Sequence, residues 1–167
     1  MTTTDTGQLR RELLLEQAIE QKANQLVRLA SAAVLKLDER SEMKTSQLRN
    51  AVNVAHEEGS FDVIANFIRY KIATQGKAWG TGRESFGHTI IAHLNGPVRA
   101  EAEGALAWLE DKHNATQLPE YATLGEDLYR AMMRRYFGYA VRAFAYYEKA
   151  GDKAEARKIL EGAAHGN

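Results

Sequence analysis

From Gln8 to Glu58 the chain carries no glycine and no proline. Within that stretch Leu9, Leu13, Ile19, Ala23, Leu26, Ala30, Ala33 and Leu37 recur at intervals of three, four or six residues. Apolar side chains so spaced share one stripe of an α-helix, and the stripe predicts a long first helix over 6–38. The polar run Glu39-Arg40-Ser41-Glu42 reads as a turn, and Thr45 or Ser46 offers a capping hydroxyl to a second helix over 47–58. Gly59 ends that helix. Ser60 caps a third, reaching about residue 75, with Phe61, Ile64, Ala65, Ile68 and Ile72 on one face. The run GKAWGTG over 76–82 holds three glycines and predicts a flexible loop around Trp79. A fourth helix is expected over 84–94. Asn95-Gly96-Pro97 should stop it and start a fifth, which runs to His113, because proline suits the first helical position. After a surface loop over 114–122, Thr123-Leu124-Gly125-Glu126 has the form of a capping box and opens a sixth helix that ends near Ala150. Asp152-Lys153-Ala154-Glu155 opens a last helix over 152–163.

No β-branched run of period two interrupts this pattern, so the expected fold is all-α: one domain over 1–167, a bundle of six or seven helices. The sixth helix stands apart. Leu128, Met132, Met133, Tyr136, Phe137, Tyr139, Val141, Phe144, Tyr146 and Tyr147 cover most of its circumference, which places it in the middle of the bundle, against a partner, or both. Composition adds few constraints. Cysteine is absent, so disulfides, zinc–thiolate sites and cysteine nucleophiles are excluded. No apolar run approaches the ~20 residues of a membrane helix. Charges occupy the first residues where a signal peptide would be apolar, and the expectation is an unprocessed cytoplasmic protein without a membrane partner.

Charge changes the picture more. The formal net charge is zero, with 22 basic and 22 acidic residues, yet the charges are segregated. Between Val63 and Ala100 lie Arg69, Lys71, Lys77, Arg83 and Arg99 against the single acid Glu84. Leu128 to Arg142 holds Arg130, Arg134, Arg135 and Arg142 with no acid, whereas Glu101 to Asp127 sets seven acids against Lys112. Basic side chains beside a tryptophan-bearing glycine loop suit contacts to a nucleic-acid backbone, which needs a positive groove and no base-reading geometry. The alternative is that Arg130 to Arg142 pair with the acidic helix before them.

Strong catalytic motifs are missing. Gly80-Thr81-Gly82 lacks the third glycine of a dinucleotide loop, since residue 85 is serine, and Lys77 lacks the glycine five residues earlier that a phosphate loop requires. Glu110-x-x-His113 has the spacing used in di-iron bundles, but only one such pair occurs, so no metal or other cofactor is expected. Arg83 and His88 (RESFGH) resemble the active-site motif of HEPN ribonucleases. In that reading His88 acts on the attacking ribose hydroxyl and Arg83 stabilises phosphate charge, although the motif lies far from the C-terminus where that family places it. The tail AFAYYEKAGDKAEARKILEGA resembles one helix–turn–helix of a tetratricopeptide repeat, which gives a protein–protein adaptor as a further alternative.

Three segments carry a wider resemblance. Lys44-Thr45-Ser46-Gln47-Leu48-Arg49-Asn50, then Phe67-Ile68-Arg69-Tyr70-Lys71-Ile72 with a following Gly-Lys loop, then RRYFGYAVRAFAYYEKAGDK from Arg134 to Lys153 occur in order over 43–153. In these the chain resembles the small all-helical subunit of type III CRISPR effector complexes, of the Csm type, with the Cmr type an alternative. The first 40 residues, the Trp79 loop and the acidic segment depart from that pattern. The resemblance implies a non-catalytic role in antiviral defence: holding guide and target RNA by the backbone, beside copies of itself and the larger subunits. It also implies that Arg49, Arg69, Lys71, Lys77, Arg134, Arg135 and Arg142 contact RNA. Arg83 is added as a local extra.

Overall fold

A computed structural model describes residues 2–57 and 59–167; the end of the expected 47–58 helix, at Glu58, lies outside the described residues. Among the described residues the regular structure is all helical, with no strand. The helices are α1 (Thr3–Glu20), α2 (Ala23–Val34), α3 (Thr45–Glu57), α4 (Phe61–Thr74), the single turn α5 (Gly76–Trp79), α6 (Phe86–His93), α7 (Arg99–His113), α8 (Tyr121–Lys149) and α9 (Lys153–His165).

The expected 6–38 helix is two helices. It starts earlier because Thr2 and Asp5 form a reciprocal capping box, with Asp5 N–H donating to Thr2 Oγ1 and Thr2 N–H to the Asp5 carboxylate. At Gln21-Lys22 the chain tightens by one step, with Lys22 N–H donating to the Ile19 carbonyl at 2.9 Å. That step redirects the chain, so α1 lies on α7 and α8 while α2 packs between α8 and α9. The 47–58 helix begins two residues early, at Thr45. Its hydroxyl does not cap α3 but donates to Glu148 on α8 at 2.9 Å. Ser60 caps α4 as expected, accepting from Val63 N–H at 3.3 Å.

Asn95-Gly96-Pro97 does not stop a helix. Leu94–Val98 forms a π-helical turn that carries α6 into α7 and absorbs the proline without a break. The Leu94 carbonyl accepts from the Tyr129 hydroxyl at 2.8 Å. The Thr123–Glu126 box does not form either. α8 starts at Tyr121 after Glu120 in a left-handed conformation, and the Thr123 hydroxyl bonds the Glu120 carbonyl inside the first turn. Asp152 caps α9 as expected, accepting from Glu155 N–H at 3.0 Å.

The core centres on α8, which touches α1, α2, α3, α7 and α9. Leu128, Met132, Met133, Tyr136, Phe137 and Ala140 are fully buried there. Of the two readings of this near-apolar helix, the middle of the bundle holds. The glycine run is also firmer than a loop. Trp79 is 0% exposed and rests on Phe86 with ring centroids 5.6 Å apart. Gly80, at φ +77°, makes the turn that follows; a Cβ there would lie 2.3 Å from Ser85 Cβ.

Candidate nucleic-acid interface

α3 runs antiparallel to α8. Thr45 meets Glu148 at one end of the pair, and Arg134 Nε donates to the Ala55 carbonyl at 3.4 Å at the other. α1 closes the opposite side of the same stretch of α8. Deep in that contact Arg11 is buried, donating to Asp127 at 2.5 Å and to the Pro119 carbonyl at 3.0 Å. The three helices leave an open groove of about 370 Å³, lined by Glu16, His56, Ala131, Arg134, Arg135, Gly138, Tyr139 and Arg142.

Three of the eight basic residues expected to touch RNA therefore meet in one place. Arg49 joins them by helix geometry: it precedes His56 by seven residues on α3, two turns away on the same face. Arg142 stands 5.8 Å from the centroid of the Tyr139 ring. Among the described residues no carboxylate forms an ion pair with Arg49 or Arg142. Arg135 does have partners, Glu16 at 2.7 Å and Glu20 at 3.9 Å, but these carboxylates are 61% and 75% exposed. Ion pairs that exposed contribute about 0–1 kcal/mol, so a phosphate can compete for the guanidinium. Of the α8 arginines only Arg130 pairs with the acidic segment, through Glu126 at 3.2 Å. Glu101 is taken by Lys22 at 3.1 Å, and Glu110 accepts from the Tyr121 hydroxyl.

The other four expected contacts lie elsewhere. Arg69 is exposed on α4, which packs on α3, α5 and α6. Lys71 lies over the rings of Phe67 and Tyr70 at 5.3 and 5.8 Å. Lys77 leaves α5 near Glu42, 3.9 Å away. Arg83 is exposed in the turn before α6. Arg99 is half-buried, 4.4 Å from the Tyr129 ring centroid and 5.6 Å from that of Phe61. Trp79 is a core side chain, not a loop platform.

Arg83 and His88 do not share a helix. His88 sits in the first turn of α6 and its Nδ1–H donates back to the Gly82 carbonyl at 2.8 Å, a local link across the turn that holds Arg83. Among the described residues no cluster of three or more His, Asp or Glu could hold a metal, and no helix is long and apolar enough to cross a membrane.

His56, Glu16 and Tyr139 were not singled out as groove residues from sequence. One signal was available: Arg135, Tyr139, Arg142, Tyr146 and Lys149 follow at steps of four, three, four and three, the spacing of a single helical stripe. Elsewhere two tyrosines serve packing. The Tyr136 hydroxyl lies 2.9 Å from His93 Nδ1, and burial raises its pKa far above that of an ordinary phenol. Burial likewise pushes Tyr129 up to about 12. No protein-family model, no curated protein and no solved structure matches the chain.

Proposed function

We propose that this chain is a non-catalytic RNA-binding subunit that grips the backbone of an RNA strand in the groove between α3 and α8. The observation that carries this reading is the convergence of Arg134, Arg135 and Arg142 on one open groove with His56 at its edge, and Arg49 two turns away on the His56 face of α3. Guanidinium groups suit phosphate through their planar, forked donors. A groove of this kind holds a backbone without reading its sequence.

The finer assignment is the small subunit of a type III CRISPR effector complex. Of the three segments behind that resemblance, 134–153 supplies Arg134, Arg135, Tyr139 and Arg142 to the groove, and 44–50 leads into and opens α3, the helix that brings His56 to it. In such an assembly the chain positions guide or target RNA beside larger subunits that carry the chemistry. Neither Arg83 nor His88 is needed for that role.

The test uses the tagged full chain recovered from its own host, with the co-purifying RNA sequenced. Repeat-derived guide RNA that is lost in an R134E/R135E double variant supports the assignment. Recovery of protein partners insensitive to nuclease, with no RNA, would favour the adaptor reading instead. RNA cleavage by the pure protein that disappears in H88A would favour the ribonuclease.

A further inference from the structure

We infer that the groove takes single-stranded RNA, with Tyr139 and Tyr146 as platforms on which bases stack. The inference rests on the RNA-binding reading above and assigns two residues that it does not use.

Five side chains form the outward stripe of α8: Arg135, Tyr139, Arg142, Tyr146 and Lys149. Cation and ring alternate along it, at roughly 4.5–6 Å per step of helix rise. Tyr139 is half-buried and packed against the core, so its ring is held firmly while it lines the groove. Tyr146, one heptad later, is 46% exposed. Packing does not require either phenol oxygen: unlike Tyr121, Tyr129 and Tyr136, neither has a hydrogen-bond partner among the described residues. Arg142 lies over the Tyr139 ring at cation–π distance, which sets a guanidinium able to take a phosphate against a ring that lines the groove.

The two rings are roughly 10 Å apart along the helix axis, about three stacked nucleotides at 3.4 Å each. Phosphates of such a strand fall beside Arg135, Arg142, Lys149 and Arg49. A duplex fits poorly, because its bases are turned inward and it would offer only phosphate to a stripe that is two-fifths aromatic. Single strands expose faces that any aromatic ring can stack on, independent of sequence.

The experiment measures binding of the purified full chain to three probes at one salt concentration: a short single-stranded RNA, the same RNA in a perfect duplex, and long-chain polyphosphate. Replacing a stacking ring by alanine typically weakens binding about five- to hundredfold. Y139A and Y146A should each lose single-stranded RNA affinity in that range, keep polyphosphate binding, and Y139F should behave as wild type. The wild type should prefer the single strand to the duplex. Y146A guards against a folding artefact, since its ring is outside the core, and helicity by circular dichroism checks Y139A. Single-strand binding unchanged in both alanine variants, polyphosphate binding lost in parallel, or a preference for duplex would each overturn the inference. If R49E/R142E leaves polyphosphate and RNA binding unchanged, the RNA-binding reading itself fails; if only the tyrosine variants are silent, that reading survives and this inference does not.

Discussion

Two stretches of this chain are about equally basic in sequence, and the fold treats them in opposite ways. Along 128–149 the arginines fall on a helix whose neighbours, α1 and α3, stop short of covering its outer face, so Arg134, Arg135 and Arg142 gather in one groove. Along 63–100 the cations are spread over α4, α5, a turn and the α6–α7 junction. Lys71 lies over Phe67 on α4, and Arg99 lies over Tyr129 at the start of α7. Trp79, in the glycine-rich run of that stretch, fills the core. Local charge density along the chain thus does not tell which cations will share an uncovered face; the helix that carries them does.

The comparison can be broken most forcefully at Trp79. Removing a fully buried tryptophan leaves a cavity, and W79A should cost about 3–5 kcal/mol in denaturant unfolding. RNA affinity per folded molecule should stay at the wild-type level; a specific loss of RNA binding with little loss of stability would return Trp79 to the binding surface. Next in size is Gly87, where a Cβ would lie 2.7 Å from Ile72 Cγ1, between α6 and α4. G87A should destabilise by about 1–3 kcal/mol through overpacking, again without a specific effect on RNA.

A smaller effect separates packing from charge in the same stretch through pH. Burial, and to a lesser degree the positive Lys36, hold the His93 pKa below its ordinary 6.5. The unfolded chain therefore binds a proton that the folded chain resists, so stability from this site is full above the unfolded value and is lost as pH falls below it. Between about pH 7.5 and pH 5.5 the wild type should lose more stability than H93Q, because only the wild type carries the titrating imidazole. Equal losses would show that His93 is not neutral by burial. The smallest expected effect is at Lys77, paired with Glu42 at 3.9 Å with both side chains mostly exposed. K77A should change stability by less than about 0.5 kcal/mol, and RNA affinity should stay unaltered.

The helical class and the caps at Ser60 and Asp152 were legible from residue pattern because each rests on interactions within a few residues, and the central place of α8 was legible because a helix apolar nearly all round must be surrounded. The failures share a cause: a distant partner decided between local options. Thr45 turned from a cap to a bond with Glu148 on α8. The Thr123 box lost to an earlier start at Tyr121, whose hydroxyl donates to Glu110 of α7. Pro97, a strong stop signal in isolation, was absorbed by a π-helical turn whose Leu94 carbonyl is held by Tyr129. Arg134, Arg135 and Arg142 meet because they share one helix, whereas Arg49 comes to the same side of the molecule only because α3 packs beside α8. The order of basic residues along the chain could not reveal that neighbour.

The central claim is that Arg49 and Arg142 act together in one groove while Arg69 and Arg83 do not. The direct measurement is RNA affinity against salt for the full chain, comparing R49E/R142E with R69E/R83E. All four side chains are exposed, so neither pair of changes should disturb the core. The groove pair should flatten the log–log salt slope by about 0.7 per lost phosphate contact on a single strand and weaken binding, while the other pair stays parallel to wild type. Equal flattening by both pairs, or by neither, would contradict a single groove as the binding site.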